Sequence, residues 1–213
     1  MPELESYQIT PKLEDCVLII PASGFSNRFG DADKLVADFQ GRPLAAHIAS
    51  AMGALEFAQK IAVIPEHNLA LANIFTANGF DLAVNENPKL GQDRSIAVGL
   101  SAIDSTWLNE NLTICILLAD MPFVPASHIW AMFALLKHHD CVKTYYQGQL
   151  QPPALFTRQA AQDWLRYASG ELATRPSEHL NEGQLSLAQP YGEDVDTVDD
   201  LRRLSSLATR NND

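Results

Sequence analysis

Three cysteines in 213 residues, at positions 16, 115 and 141 with no Cys-x-x-Cys, are too few and too scattered for a disulfide framework or a thiolate zinc site. The spacing suits a reducing compartment, where such residues act as small hydrophobes. Long hydrophobic runs are also missing, and with no stretch of about eighteen apolar residues no membrane-spanning helix is expected. Positive charge is scarce. Fifteen Lys and Arg against 26 Asp and Glu leave a formal charge of −11, which opposes approach to nucleic acid or to an anionic membrane surface. The opening Met-Pro-Glu-Leu-Glu-Ser lacks the basic-then-apolar form of a secretory signal, so the expected location is cytoplasmic.

What is present is an alternation of strand and helix patterns. Cys16 to Ile20, Ile61 to Ile64 and Leu112 to Ala119 are short apolar runs rich in β-branched residues, the mark of strands buried on both faces. Between and after them, apolar residues recur at helical spacing, as in Leu44, Ile48 and Met52, and in Ile129, Met132, Phe133 and Leu136. Repeated βα units predict a three-layer αβα sandwich around a mostly parallel, Rossmann-like sheet. A hairpin is expected from Cys141–Tyr146 and Leu150–Phe156 as a small insertion, with Pro152 and Pro153 confining the second arm to an edge or a bulge. Thr197, with Asp199 and Asp200 behind it, reads as the start of a last helix carrying Leu201, Leu204 and Leu207. The reading is one domain over 1–213 with its core at about 16–205; residues 170–190 give no clear pattern.

Ligands of parallel α/β sheets sit beyond the carboxyl ends of the strands. Four segments gather there. The first, Pro21 to Lys34, follows a strand and sets Gly24 and Gly30 among Ser23, Ser26 and Asn27, with Arg28 and Lys34 as cations. Such a loop can turn backbone N–H groups around an anion while Arg and Lys neutralise its charge. It lacks the Gly-Lys-Ser/Thr ending of a P-loop and the third glycine of a dinucleotide fingerprint. The second, Asn87 to Ser95, is a polar turn entering a helix, whose first amides favour anions. The third places Asp120 at the end of an apolar strand, where a carboxylate is costly unless paired or solvated. The fourth is the acidic run Asp194 to Asp200. Asp120 and Asp196 make the pair of carboxylates that Mg²⁺ takes when phosphate and water complete its shell.

Gly24, Ser26, Arg28, Gly30 and Lys34 resemble the signature of the nucleoside triphosphate transferase family that includes the molybdenum cofactor cytidylyl- and guanylyltransferases. Gly41 to His47, Gly91 to Leu100, Leu118 to Pro122 and Asp194 to Leu201 resemble further motifs of that family, in order. The resemblance implies a Mg²⁺-dependent transfer of a nucleoside monophosphate from a nucleoside triphosphate to a phosphomonoester such as molybdopterin, with release of pyrophosphate and a molybdoenzyme as partner. It implies Arg28, Lys34 and Asp120 as catalytic groups, and Ala22, Ser23, Gly24, Phe25, Ser26, Asn87, Gly91 and Ser95 as nucleotide-binding. Asp120 and Asp196 are implied as the metal ligands.

This chain departs from the pattern in places. One extra residue precedes Lys34, Pro21 and Arg94-Ser95 resemble the methylerythritol phosphate cytidylyltransferases, and Gly170 to Arg175 only echoes a late cytidylyltransferase motif. Ser23, where guanylyltransferases have glycine, crowds the floor for a purine and offers a hydroxyl to base or ribose, which favours CTP over GTP. The alternatives are a guanylyltransferase, a methylerythritol phosphate cytidylyltransferase-like enzyme, or a non-catalytic nucleotide-binding accessory protein.

Overall fold

Alternate residues of the first strand feed two different cores, and this one alternation explains the layering. In the computed structural model, which describes residues 12–24, 29, 33–107, 111–168 and 180–210, the elements follow in this chain order. They are β1 (Cys16–Pro21), β2 (Asp38–Phe39), β3 (Arg42–Pro43), α1 (Leu44–Gly53), β4 (Gln59–Pro65), α2 (Leu69–Ala77), β5 (Asp81–Asn85) and α3 (Gln92–Ser101). After these come β6 (Thr113–Ile116), α4 (Ala126–Leu136), β7 (Cys141–Tyr146), β8 (Gln149–Thr157), α5 (Arg158–Ala168), β9 (Glu182–Ser186) and α6 (Val198–Arg210). Leu18 and Ile20 of β1 pack with Ile48 and Met52 of α1, Phe75 of α2, Ile129 of α4 and Leu204 of α6. Val17 and Ile19 face the other way, onto Ile96 and Leu100 of α3 and Ala161 and Trp164 of α5. Successive side chains of a strand point to opposite faces, so a strand apolar throughout needs helices on both sides.

The main sheet has seven strands in the order β5-β4-β1-β6-β8-β7-β9. Only β8 opposes its neighbours; it pairs antiparallel with both β6 and β7, while the other pairs run parallel. The strand ending near Ile116 is central, as its composition predicts. The β7–β8 hairpin forms with Gln147-Gly148 as its turn, and it continues the main sheet, with β8 in its interior. A proline pair survives there because register passes from Lys143↔Ala154 to Thr144↔Gln151, so Pro152 and Pro153 form a bulge. Thr144 donates its hydroxyl to the Pro153 carbonyl at 2.9 Å, and His128 Nε2 of α4 donates to the same hydroxyl oxygen at 2.9 Å. A separate two-stranded piece, β2 with β3, leads into α1.

Because β1, β4, β5 and β6 run in one direction, the segments after Pro21, Asn85 and Ile116 emerge at one edge. The chain after β9 arrives there too, since Val195 N–H donates to the Asp120 carbonyl at 3.0 Å. Helix α6 then starts on a reciprocal cap: Asp200 N–H donates to Thr197 Oγ1, and Thr197 N–H to Asp200 Oδ2. Among the described residues no helix is long and apolar enough to cross a membrane.

Candidate active site

The end of β1, the turn before α3 and the segment after β6 enclose a cavity of about 350 Å³. Its walls include Ala22 and Gly24, Pro88 and Lys89, Gly91 and Ser95, with Lys34 and Asp120 on the remaining side. Gly24 leaves the wall open: a methyl group added there would meet no atom within 4 Å. Gly91 turns the chain into α3 with φ +87°, a conformation that side chains with a Cβ resist, and so brings the helix start to the cavity. Helix starts present unpaired N–H groups, which suit an anion.

Behind this wall lies a polar knot. Ser23 Oγ and Ser95 Oγ are 2.7 Å apart, and Asn85 Nδ2 donates to both, at 3.0 and 3.1 Å. Asn85 is completely buried, and its Oδ1 accepts from Asn87 N–H at 3.0 Å. The knot ties the loop after β1, the end of β5 and the first turns of α3 into one unit. Ser23 is itself buried and is not part of the cavity wall. The sequence reading gave its hydroxyl to a base or ribose; the structure gives it to Ser95 and Asn85, so the argument from Ser23 for CTP loses its footing.

Lys34 opens a 3-10 turn whose N-cap Asp33 accepts from Leu35 N–H at 3.0 Å, while the other Asp33 oxygen accepts from Asn68 at 2.8 Å. The turn aims the ammonium at two carboxylates. Nζ lies 2.6 Å from Asp120 Oδ2 and 3.1 Å from Asp196 Oδ1. Burial works to lower the Lys34 pKa, and the charges and hydrogen bonds of Asp120 and Asp196 outweigh it, so the net shift is upward. Burial, followed by the neighbouring charges of Asp120 and Asp196, raises the Asp194 carboxyl above its ordinary range. Asp120 Oδ1 is buried without a hydrogen-bond partner. A carboxylate oxygen left in that state is costly in a dry site and is the donor a hard cation would satisfy. Asp120 and Asp196 therefore fit a divalent metal. No group of three or more metal-binding side chains exists among the described residues, so phosphate and water would supply the other ligands.

Of the residues singled out in the sequence, Ala22, Gly24, Lys34, Gly91, Ser95 and Asp120 line the cavity together, and Asp196 reaches it through Lys34. Asn87 is exposed beside the wall and not part of it; Phe25, Ser26 and Arg28 lie outside the described residues. A second cavity, of about 640 Å³, opens on the far side of Asp196. Gln147, Gln149, Gln151 and Gln189 line it together with Asp194 and Arg203. Arg203 is paired with Glu193 and Asp200, and Gln151 donates to the Gly192 carbonyl at 2.6 Å, so the wall combines glutamine amides with the carboxylates of Glu193, Asp194, Asp196 and Asp200. Sequence reading missed these glutamines, which follow no motif and are gathered only by the hairpin and the turn after β9.

A family model described as MobA-like NTP transferase domain matches residues 18–182. The "Probable molybdenum cofactor guanylyltransferase" of Natronomonas pharaonis is 28% identical over 122 residues, which are 57% of this chain and 57% of that protein. The match thus spans little more than half the length of that relative. Among solved structures, the Mycobacterium sp. strain JC1 homologue of Mycobacterium tuberculosis Rv0371c superposes with a TM-score of 0.74 at 19% identity, covering 93% of this chain and 99% of the other. Molybdopterin-guanine dinucleotide biosynthesis protein A from Archaeoglobus fulgidus gives 0.67 at 15% identity, over 91% and 99%. At such identities the structural likeness speaks for the fold.

Proposed function

Since this chain belongs to the MobA-like NTP transferase domain family, we propose that it transfers a nucleoside monophosphate from a nucleoside triphosphate to a phosphomonoester of the molybdopterin class. The observation that carries this reading is the pair of cavities meeting at Lys34, Asp120 and Asp196. The triphosphate occupies the cavity between Gly24 and the start of α3, held by backbone N–H groups of the loop after β1, with Lys34 and Arg28 offsetting its charge. The acceptor occupies the glutamine-lined cavity, and its phosphate meets the donor at the carboxylates. A phosphate oxygen of the acceptor attacks the α-phosphorus; the new P–O bond forms as the bond to the β-phosphate breaks, and pyrophosphate leaves. No enzyme nucleophile is required, so the chain contributes positioning and charge. Bound at Asp120 and Asp196, Mg²⁺ would supply Lewis-acid stabilisation of the phosphoryl oxygens. The reaction belongs in the cytoplasm within one domain over 1–213, and its product serves a molybdoenzyme.

Pyrophosphate release is the test, with each of the four ribonucleoside triphosphates and molybdopterin-type acceptors. The donor is CTP or GTP, and the same assay separates them. Asp120→Asn should lower turnover by about 10²–10³, as the loss of an electrostatic stabiliser does. Nucleotide binding without pyrophosphate from any combination would overturn the enzyme reading in favour of an accessory protein.

A further inference from the structure

Lys34 already pairs with both carboxylates assigned to the metal, and its contact with Asp120 lies where water screens little, while the Asp196 side chain is 39% exposed. The Lys34 side chain is 14% exposed and that of Asp120 16%. The same lysine forms part of the wall of the triphosphate cavity. One ammonium is thus within reach of two kinds of anion, the carboxylates it holds here and the phosphates expected beside it. Its turn is fixed by the Asp33 cap, but the head rides on a flexible four-carbon stem. Asp120 divides its oxygens unequally: Oδ2 holds the lysine, and Oδ1 is buried without a partner.

We propose that Lys34 is an exchangeable counter-ion, which keeps a divalent cation off Asp120 and Asp196 in the nucleotide-free protein and is drawn to the phosphates when nucleotide arrives. The inference rests on the assignment of those two carboxylates to the metal in the proposed function. Two positive charges facing the same carboxylates repel, so the protein without nucleotide binds the metal weakly. Phosphates that take the ammonium release the carboxylates, and metal and nucleotide then strengthen each other reciprocally. The unpartnered Oδ1 keeps one ligand ready for that exchange.

Mn²⁺ alone serves as the probe, titrated without nucleotide and followed by paramagnetic resonance and calorimetry. Lys34→Met should bind Mn²⁺ at least tenfold tighter than the unaltered protein, and Lys34→Arg, which keeps the charge, should remain weak. Lys34→Gln retains an amide donor for the carboxylates and provides the same comparison should the methionine variant not fold. Adding Asp120→Asn to the tight variant should abolish the gain, which locates the ion. Equal or weaker Mn²⁺ binding by folded Lys34→Met and Lys34→Gln would overturn the proposal. The titration contains no nucleotide, so it stands whether or not transfer occurs. Unchanged Mn²⁺ affinity in the Lys34 variants, alongside pyrophosphate release by the unaltered protein, would remove this inference and leave the proposed function standing.

Discussion

Ser23 and Ser95 are 72 positions apart in the chain, yet their hydroxyls meet at 2.7 Å beneath the cavity, with Asn85 donating to both. The contact fixes the loop after β1 to the first turns of α3 and so sets the distance between two walls. Ser95→Ala removes one acceptor of the Asn85 amide and the partner of Ser23. The expected cost is about 1–3 kcal/mol, the range for leaving buried polar groups poorly paired. Urea denaturation measures it, and the KM for nucleoside triphosphate should rise while Ser95→Thr restores part of both. An unchanged urea midpoint would show that the knot contributes nothing.

Two glycines separate packing from access. Gly99 of α3 lies against β1 and β4, where an added methyl would stand 2.5 Å from Ile19 Cγ2 and 3.1 Å from Val63 Cγ2. Gly99→Ala should therefore destabilise by about 1–3 kcal/mol through overpacking. At Gly24 the same methyl meets nothing within 4 Å and enters the cavity wall. Gly24→Ala should leave the melting temperature alone and raise the KM for nucleotide. Matching losses of stability in the two variants would contradict this division.

Burial lowers the pKa of His128, whose ring contacts Thr144 beneath the bulge. Below about pH 6.5, the ordinary histidine value, the unfolded chain takes up a proton that the folded ring resists. The associated stability is full above that pH and declines as pH falls toward the lower folded value. His47 is lowered by burial too, so it adds to the same slope. Denaturant midpoints measured at about pH 7, 6 and 5 should fall toward acid. His128→Gln should flatten part of that decline; a slope identical in both proteins would exclude His128 as a contributor.

All three cysteines are buried and unpaired by disulfides. Burial pushes the Cys16 thiol up to about 12 and that of Cys141 to about 11, and it raises Cys115 well above its usual value. Thiolate is the reactive form, so the native protein should release almost no thionitrobenzoate from Ellman's reagent, and full reaction should follow unfolding. Rapid titration of one thiol in the native state would refute the burial.

Legibility in the sequence followed the strength of the local pattern. The runs of β1 and β6 and the capped start of α6 were readable because each is decided by residues close together in the chain. Helix α5 was missed because it begins directly after β8 with no turn residue, and two of its buried positions, Ala160 and Ala161, are small. Thr157, whose hydroxyl accepts from Ala160 N–H at 3.4 Å, was the available signal. Strand β9 is polar and at the sheet's edge, with Gly183 its one buried residue, so no alternation announces it. In the site, motif spacing named Lys34, Asp120 and Asp196. Their mutual pairing over as many as 162 positions is a property of the folded sheet.

The two cavities draw on different stretches of the chain: residues 21–120 for the first and 146–203 for the second. On the function proposed above, donor choice and acceptor choice are inherited through separate parts of one gene. Changes among Gln147, Gln149, Gln151 and Gln189 can retune the acceptor without touching the triphosphate walls. What such drift must preserve is the junction, the Val195–Asp120 hydrogen bond and the Lys34 bridge, because only there do the two histories have to agree.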